Sequence, residues 1–246
     1  KVYDIPEGGR AAKGRAIVNL IGCEPDEKVS AFISVKEFND DHYVVMATEK
    51  GMVKKTKLSA YSNPRKKGIY AVEIRDGDKL IEARVSTGDN DILLGTRNGK
   101  SIRFSEEQIR ASGRKTMGVK GITLSSEDDR LVGMLLIKRE GTVLVATEKG
   151  FGKRTEISQY RAQKRGGKGV LTMKTTDKVG KMVTIKEVVD KDDLMIITNQ
   201  GVLIRLPVAQ IRSIGRATQG VKLIKLGEGT LVSSITRIMS EEEEDE

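Results

Sequence analysis

Short runs of apolar residues, each followed by a polar turn, recur along this chain with a period of about 50 residues. Four of these apolar runs share one ending, in which Thr is followed by two polar residues and then Gly. They occupy residues 44–51, 92–99, 143–150 and 195–201. The closing glycines lie 48, 51 and 51 residues apart. Short Val- and Ile-rich runs bounded by glycine favour strands over helices, and a polar pair followed by Gly is a β-hairpin signal. Each copy therefore predicts a hairpin.

A second glycine, followed by another apolar pair, marks a further strand in each repeat. These glycines are Gly14, Gly68, Gly118, Gly169 and Gly220. A fourth strand is predicted over residues 80–86, 131–137, 182–188 and 231–238, and the partial first copy supplies strands over 17–21 and 29–35. Helical turns are expected only near residues 106–110 and 208–212. Four strands in about 50 residues are typical of a propeller blade.

The sequence thus predicts an all-β chain, a propeller-like disc of five to six four-stranded blades. A single domain is expected over residues 1–240, with a partial first repeat at 1–38 and further repeats near 41–88, 90–139, 141–190 and 192–238. The chain begins in mid-repeat, so we expect a hairpin to precede it in a longer protein. Residues 241–246 are all acidic and are expected to form a disordered tail.

Charge adds a candidate partner. The net charge is +9, and without the six acidic residues of the tail the chain carries +15. Such a surface suits polyanions. Aromatic residues make up 4% of the chain and Trp is absent, which disfavours single-stranded nucleic acid. One Cys and one His exclude an intrachain disulfide, a His-based triad and the common zinc sites. No metal is expected, and no apolar run is long enough to span a membrane.

The positive charge falls in the same loop of every repeat, just before the second glycine. A chance distribution would not repeat five times, and a basic loop on each blade would form a track for the phosphates of duplex DNA. The predicted DNA-binding residues are Arg10, Lys13, Arg15, Arg65, Lys66, Lys67, Arg114, Lys115, Lys120, Gln163, Lys164, Arg165, Gly166, Gly167, Lys168, Gly169, Arg216 and Lys222. Acidic residues gather instead in the next turn, at 24–27, 76–78 and 127–129, and more sparsely at Asp177 and Glu228. The alternative is that the basic loops only keep sheet edges from pairing.

Residues 163–169, which read Gln-Lys-Arg-Gly-Gly-Lys-Gly, closely resemble the gyrase A box of the family of DNA gyrase A C-terminal domains. Residues 147–155, 215–221 and 2–7 and the acidic tail also resemble that family, so the resemblance covers essentially the whole chain. Two features depart from the family's pattern: this box lies in the fourth of five loops, with Lys164 at its second position, and the chain begins in mid-repeat, without the hairpin expected before Lys1. The family's main box usually lies in the first blade.

The resemblance implies a β-pinwheel, whose blades exchange a strand, and a role in wrapping duplex DNA for ATP-dependent negative supercoiling. It implies no catalytic residue and no cofactor in this chain, because ATP and Mg would be used elsewhere in the holoenzyme. The implied partners are DNA, the remainder of the gyrase A polypeptide, and the gyrase B polypeptide in an A2B2 assembly in the bacterial cytoplasm, at the nucleoid. Two alternatives stay open: the equivalent domain of topoisomerase IV, and a protein-interaction propeller with an acidic partner.

Overall fold

The computed structural model describes residues 5–21, 27–65 and 68–239. Apart from one short helix, α1 (Val18–Ile21), and four 3-10 turns, the regular structure of these residues is β. The 3-10 turns are Leu58–Tyr61, Glu106–Gln108, Ile157–Gln159 and Val208–Gln210. The strands are β1 (Tyr43–Thr48), β2 (Met52–Lys57), β3 (Leu80–Ser86), β4 (Asp91–Thr96), β5 (Lys100–Ser105), β6 (Val119–Lys120), β7 (Leu131–Ile137), β8 (Thr142–Thr147), β9 (Phe151–Glu156), β10 (Val170–Leu171), β11 (Met182–Val188), β12 (Asp193–Thr198), β13 (Leu203–Pro207), β14 (Val221–Lys222) and β15 (Val232–Ile238).

The strands of the described residues form four antiparallel sheets, which are the blades of a propeller-like fold. Their strand orders are β3-β1-β2-β6, β7-β4-β5-β10, β11-β8-β9-β14 and β15-β12-β13. In the first three sheets the outermost strand belongs to the next repeat, so each blade is completed by its neighbour in sequence. The predicted all-β pinwheel with strand exchange is confirmed. The prediction of helical turns only near residues 106–110 and 208–212 is wrong, because equivalent turns also follow the first and third hairpins, at Leu58–Tyr61 and Ile157–Gln159.

Each hairpin turn closes at a glycine with a positive φ angle, as the repeated pattern predicts. The φ angles of Gly51, Gly99, Gly150 and Gly201 lie between 77° and 86°, in the left-handed region that an L side chain rarely adopts. In every sheet the long inner strand pairs with the first hairpin strand and slips register at its start, where Ala47/Thr48 is one example. Such an irregularity increases the local twist of the strand.

The hydrophobic core lies between successive blades. The largest cluster of buried side chains joins the first two sheets and includes Val45, Val53, Ile92, Phe104 and Leu131. Two similar clusters fill the gaps between the second and third sheets and between the third and fourth. A blade can bury its second face only against a neighbour, so the repeats stabilise one another.

Three sequence predictions for the first part of the chain are wrong. Residues 17–21, predicted as a strand, contain α1, and residues 29–35 form no regular strand. The pair after Gly68 is also outside the sheets. In the later repeats this pair is the outer strand of the preceding blade, and the described residues contain no hairpin ahead of residue 43 to accept it. Short strands without a pairing partner do not persist.

Candidate nucleic-acid interface

Three of the basic loops lead directly into the strand that completes the preceding blade, which places them beside the outer strand of the first three sheets. We call the five segments at residues 10–15, 65–68, 112–118, 163–169 and 213–220 the rim loops. Before three of them the chain makes a parallel bridge to the preceding hairpin, at Ala111, Ala162 and Ser213. The bridged residues are Lys55, Arg103 and Arg154, which hold equivalent positions in β2, β5 and β9.

The glycine that ends each of the last three rim loops is packed against a backbone carbonyl of the hairpin before it. A Cβ added at Gly169 would lie 2.3 Å from the Ser101 carbonyl oxygen, and one at Gly118 would lie 2.3 Å from that of Val53. Both glycines also have positive φ angles. A side chain at either position would push the loop away from the blade, so the repeated glycine sets how closely the loop approaches the sheet.

One arginine in each of these three loops binds the segment that directly follows the rim loop before it. In all three loops the arginine Nη1 donates to a backbone carbonyl in the preceding repeat. The acceptor lies two residues beyond that repeat's second glycine. They join Arg114 to Tyr70 (3.2 Å), Arg165 to Lys120 (3.1 Å) and Arg216 to Leu171 (2.9 Å). A charge-assisted bond of this kind is stronger than a neutral one. The arginines therefore link successive loops into one continuous track.

A second set of backbone hydrogen bonds joins the same loops. The backbone N–H groups of Glu73, Thr123 and Lys174, each five residues beyond the second glycine, donate to carbonyls of the next loop. Their acceptors are the carbonyls of Thr116 (3.1 Å), Gly167 (2.8 Å) and Thr218 (3.0 Å). The spacing between loops is thus fixed by backbone as well as by side chains, which preorganises the track.

The loop at residues 163–169, called the box loop below, is held mainly by its own backbone and by Arg165. Arg165 donates from its backbone N–H to Gln108 Oε1 (2.8 Å) and from Nε to the Gln108 carbonyl (2.9 Å). The Gly166 N–H donates to the Gly121 carbonyl (2.7 Å), and Thr123 Oγ1 donates to the Gly166 carbonyl (2.7 Å). Gly166 has a φ angle of 78°, in the left-handed region that favours glycine.

The loops at residues 112–118 and 213–220, called the GR loops below, rest on buried lysines that the sequence analysis did not identify. Lys153 Nζ donates to the carbonyls of Gly215 (2.6 Å) and Arg216 and to Thr218 Oγ1 (3.1 Å). Lys54 Nζ donates to the carbonyls of Ala71 (2.8 Å) and Arg114. Burial lowers the pKa of each lysine to about 8, with a smaller contribution from the nearby loop arginine.

A signal for these lysines is present in the sequence. Lys54 and Lys153 are the third residues after the hairpin glycine, and Ile102 and Ile204 hold the same position in the other two hairpins. Ile102 is fully buried beneath the box loop, near Gly167. A lysine at a position that is apolar in sister repeats indicates a buried ammonium group with partners of its own.

Several lysines of the track remain exposed and leave their ammonium groups available to an anion. Lys164 and Lys168 of the box loop form no hydrogen bond within the described part of the chain, and both are exposed. Lys115 and Lys222 lie over aromatic rings, 5.5 Å from the centroid of Tyr70 and 5.6 Å from that of Phe151. The structure therefore separates two roles: arginines connect loops, and lysines face solvent.

Within the described residues, only the second of the first two rim loops is followed by a segment that bonds to the next loop, through Tyr70 and Glu73. Arg10, Lys13 and Arg15 are exposed, and a Cβ added at Gly14 would meet no atom within 4 Å. Arg65 is also exposed. The predicted sites Lys66 and Lys67 lie outside the described residues, as does the acidic tail.

The acidic turns pack on the hairpin turns rather than on the rim loops. Asp78 Oδ1 accepts the Lys50 backbone N–H (2.9 Å), and Asp129 Oδ1 accepts that of Asn98 (2.9 Å). Both acceptors belong to the same repeat as their donor. The carboxylates therefore satisfy turn N–H groups and keep negative charge off the basic track.

The described residues include no group of three or more potential metal ligands and no helix long and apolar enough to cross a membrane. Four sheets that exchange outer strands, with a basic loop at each exchange, define a β-propeller of the pinwheel type. The model of the family described as "DNA gyrase C-terminal domain, beta-propeller" matches residues 1–36, 42–87, 90–138, 141–188 and 192–238. The chain belongs to this family.

Relatives and solved structures agree with this membership. The chain is 45% identical over 246 residues to the DNA gyrase A polypeptide of Staphylococcus epidermidis (strain ATCC 12228 / FDA PCI 1200), covering 99% of the chain and 27% of that protein. It is 44% identical over 252 residues to the DNA gyrase A polypeptide of Staphylococcus aureus (strain MRSA252), covering 100% of the chain and 28% of that protein. The chain thus spans little more than a quarter of these relatives.

Two solved structures share the fold. The C-terminal domain of DNA topoisomerase IV superposes with a TM-score of 0.86 at 26% identity, over 92% of this chain and 71% of that one. The DNA gyrase A C-terminal domain gives 0.83 at 23% identity, over 93% and 76%. Because both kinds of domain share the fold, the assignment to the gyrase family comes from the family model and the sequence relatives.

Proposed function

We propose that this chain binds duplex DNA along its rim loops and bends it, as the DNA-wrapping domain of a gyrase A polypeptide. The observation that carries the proposal is the continuous track: three arginine–carbonyl bonds tie a rim loop to the segment that follows the loop before it, and exposed lysines project from the loops. Evenly repeated cations suit the regular phosphates of a duplex and read no sequence. No recognition helix lies in the track among the described residues.

The energetics set a requirement on the loops. Turning about 40 base pairs through about 180° costs roughly 10 kcal/mol, given a persistence length near 150 base pairs. Five loops that each contribute about 2 kcal/mol of phosphate contact would offset that cost. Loops fixed before DNA arrives lose little entropy on binding, which favours a preorganised track over mobile basic segments.

Energy transfer between dyes at the two ends of a roughly 40-base-pair duplex tests the proposal. Titration with the chain should bring the ends together and produce a saturable rise in transfer. Affinity should fall about 10³–10⁵-fold between 50 and 200 mM salt if about 6–10 phosphates are neutralised. A flat salt response or an unbent complex would contradict the proposal.

A pair of variants of equal charge locates the interface. Replacing Lys164 and Lys168 with Gln removes two exposed cations of the box loop, and the slope of log affinity against log salt should lessen by about 2. Replacing Lys28 and Lys178 with Gln removes the same charge outside the rim loops. Equal losses from both pairs would mean that net charge alone attracts DNA.

The role of the whole protein is part of the same proposal. As a wrapping domain, this chain would present a bent segment to the rest of the gyrase A polypeptide and to its gyrase B partner in an A2B2 enzyme, in the cytoplasm at the nucleoid. ATP, Mg and the catalytic residues would then belong to those other parts. If the chain instead recognised an acidic protein, DNA affinity would be negligible and the end-to-end signal would stay flat.

A further inference from the structure

A cationic cavity lies where the innermost strands of the four blades meet. In each sheet, the strand that follows the hairpin in sequence forms one edge; these edge strands are β3, β7, β11 and β15. Each of them contacts the equivalent strand of the next blade. Equivalent strands run in the same direction, so their carboxyl ends gather at one end of this inner surface. Between these ends is a cavity of about 320 Å³.

Four of the residues that line this axial cavity are cations, one from each blade: Arg84, Lys138, Lys186 and Arg237. One lining residue, Glu187, is acidic. The fold does not require a cation at each of these positions, because an apolar residue occupies an equivalent position in one blade. In the second blade the residue equivalent to Arg84 and Lys186 is Leu135, since all three face the third residue of the first hairpin strand.

The acidic groups nearby are already engaged. Glu82 Oε1 lies 2.7 Å from Arg84 Nη2, and Glu187 Oε1 accepts the backbone N–H groups of Lys138 and Arg139 at 3.1 Å. Glu187 and Asp192 also form ion pairs with Arg139, at 3.8 and 3.0 Å. These pairs consume the negative charge that faces the cavity and leave an excess of positive charge on its walls.

Lys186 is the most informative of the cations. Its side chain is partly buried, and within the described part of the chain its ammonium group forms no hydrogen bond and no ion pair within 4 Å. Burial lowers its pKa, Glu82 opposes that shift, and Arg84 and Arg237 reinforce it. A half-buried ammonium group without a protein partner, beside two guanidinium groups, is a favourable place for an anion to bind.

We propose that the axial cavity, with Lys186 at its centre and Arg84, Lys138 and Arg237 around it, binds a small multivalent oxyanion of the polyphosphate class. Arginine forks and lysine ammonium groups are the donors that bind phosphate oxygens. A volume near 320 Å³ is at the small end of the range for ligand pockets and excludes a duplex. Because each blade supplies one cation, the bound anion would hold the four blades together. This site is separate from the rim loops.

Calorimetric titration of pyrophosphate into the 246-residue chain tests the site. Saturable binding of one anion is expected, together with a rise in Tm, because the ligand binds only the folded blades. Lys186→Met should weaken binding at least about 10-fold, since it removes a charge-assisted contact. Arg237→Gln should do the same. Lys178→Met, which removes an exposed lysine in the turn ahead of β11, should leave the affinity unchanged.

Three results would overturn the proposal: no saturable heat at millimolar pyrophosphate, wild-type affinity in Lys186→Met, or equal weakening in Lys186→Met and Lys178→Met. The last two would place the anion on the rim loops or in the diffuse surface charge. Urea unfolding of each variant shows whether it is folded. Lys186→Met removes an unpaired charge and is expected to unfold at no lower urea concentration than the wild type. Bending of DNA should be the same in both lysine variants.

Discussion

The box loop and the GR loops present arginine at the same place on the rim, but different atoms support them. The GR loop at residues 213–220 rests on the ammonium group of Lys153, which binds two carbonyls and a hydroxyl. The box loop lies over the apolar Ile102 and is held by backbone bonds that its glycines permit. The outcome in both is an arginine that binds the short strand following the preceding loop. Sister repeats therefore keep the geometry of the track while exchanging the support beneath it.

Removing the close approach beneath the box loop should have the largest effect. Gly169→Ala would place a Cβ 2.3 Å from the Ser101 carbonyl oxygen, at a positive φ angle, and should lower the free energy of unfolding by about 3 kcal/mol. Gly229→Ala is the control, because Gly229 has a similar φ angle with nothing within 4 Å. Its cost should be about 1 kcal/mol. Urea unfolding measures both, and equal costs would show that the packing on Ser101 contributes nothing.

Removing the ammonium beneath a GR loop should have the next largest effect. Lys153→Met leaves the Gly215 and Arg216 carbonyls without their donor, and should lower the free energy of unfolding by about 2 kcal/mol. Lys178→Met, an exposed change of the same type, should lie within about 0.5 kcal/mol of the wild type. If Lys153→Met were as stable as the wild type, the two kinds of loop would not differ in their support.

Arg165→Lys tests whether the linking arginine acts through geometry or through charge. Lysine keeps the charge but cannot reach both the Gln108 and Lys120 carbonyls that Nε and Nη1 bind. We expect a loss of about 1 kcal/mol in stability and weaker bending of DNA at an unchanged salt slope. Arg161→Lys, at an exposed residue just before the loop, is the matched control. Bending at the wild-type level in Arg165→Lys would assign the arginine a purely electrostatic role.

The last effect expected is a pH dependence confined to the GR loops. The pKa values of Lys54 and Lys153 are lowered to about 8 in the folded chain, against about 10.4 when unfolded. Between these values the unfolded chain binds more protons, so stability rises with pH from about 8 to about 10. The double variant Lys54→Met/Lys153→Met should lack this contribution. Urea unfolding at about pH 7, 8, 9 and 10 compares the double variant with the wild type. If the free energy of unfolding changed with pH in parallel for both, the prediction would be wrong.

Strand identity in the complete repeats was available from local pattern. Hairpins closing at Gly51 or Gly150, and inner strands such as β7 and β11, follow from short apolar runs and glycine positions that any single repeat contains. The basic loops could likewise be found, because their charge recurs at a fixed offset from the second glycine. The strand predicted over residues 17–21 is wrong. A strand this short needs a pairing partner from a distant part of the chain, and the segment's own residues do not reveal whether that partner is present.

The sequence by itself determined the repeat, the all-β class and the basic rim, since periodicity and charge are properties of neighbouring residues along the chain. Only the tertiary structure decided which blade each outer strand completes, which arginines connect loops rather than face solvent, and which lysines are buried. It also brought four cations from different repeats to one cavity. Each of these depends on residues far apart in the chain, such as Arg165 with Lys120 or Lys153 with Gly215, and their contacts arise only when neighbouring blades pack face to face.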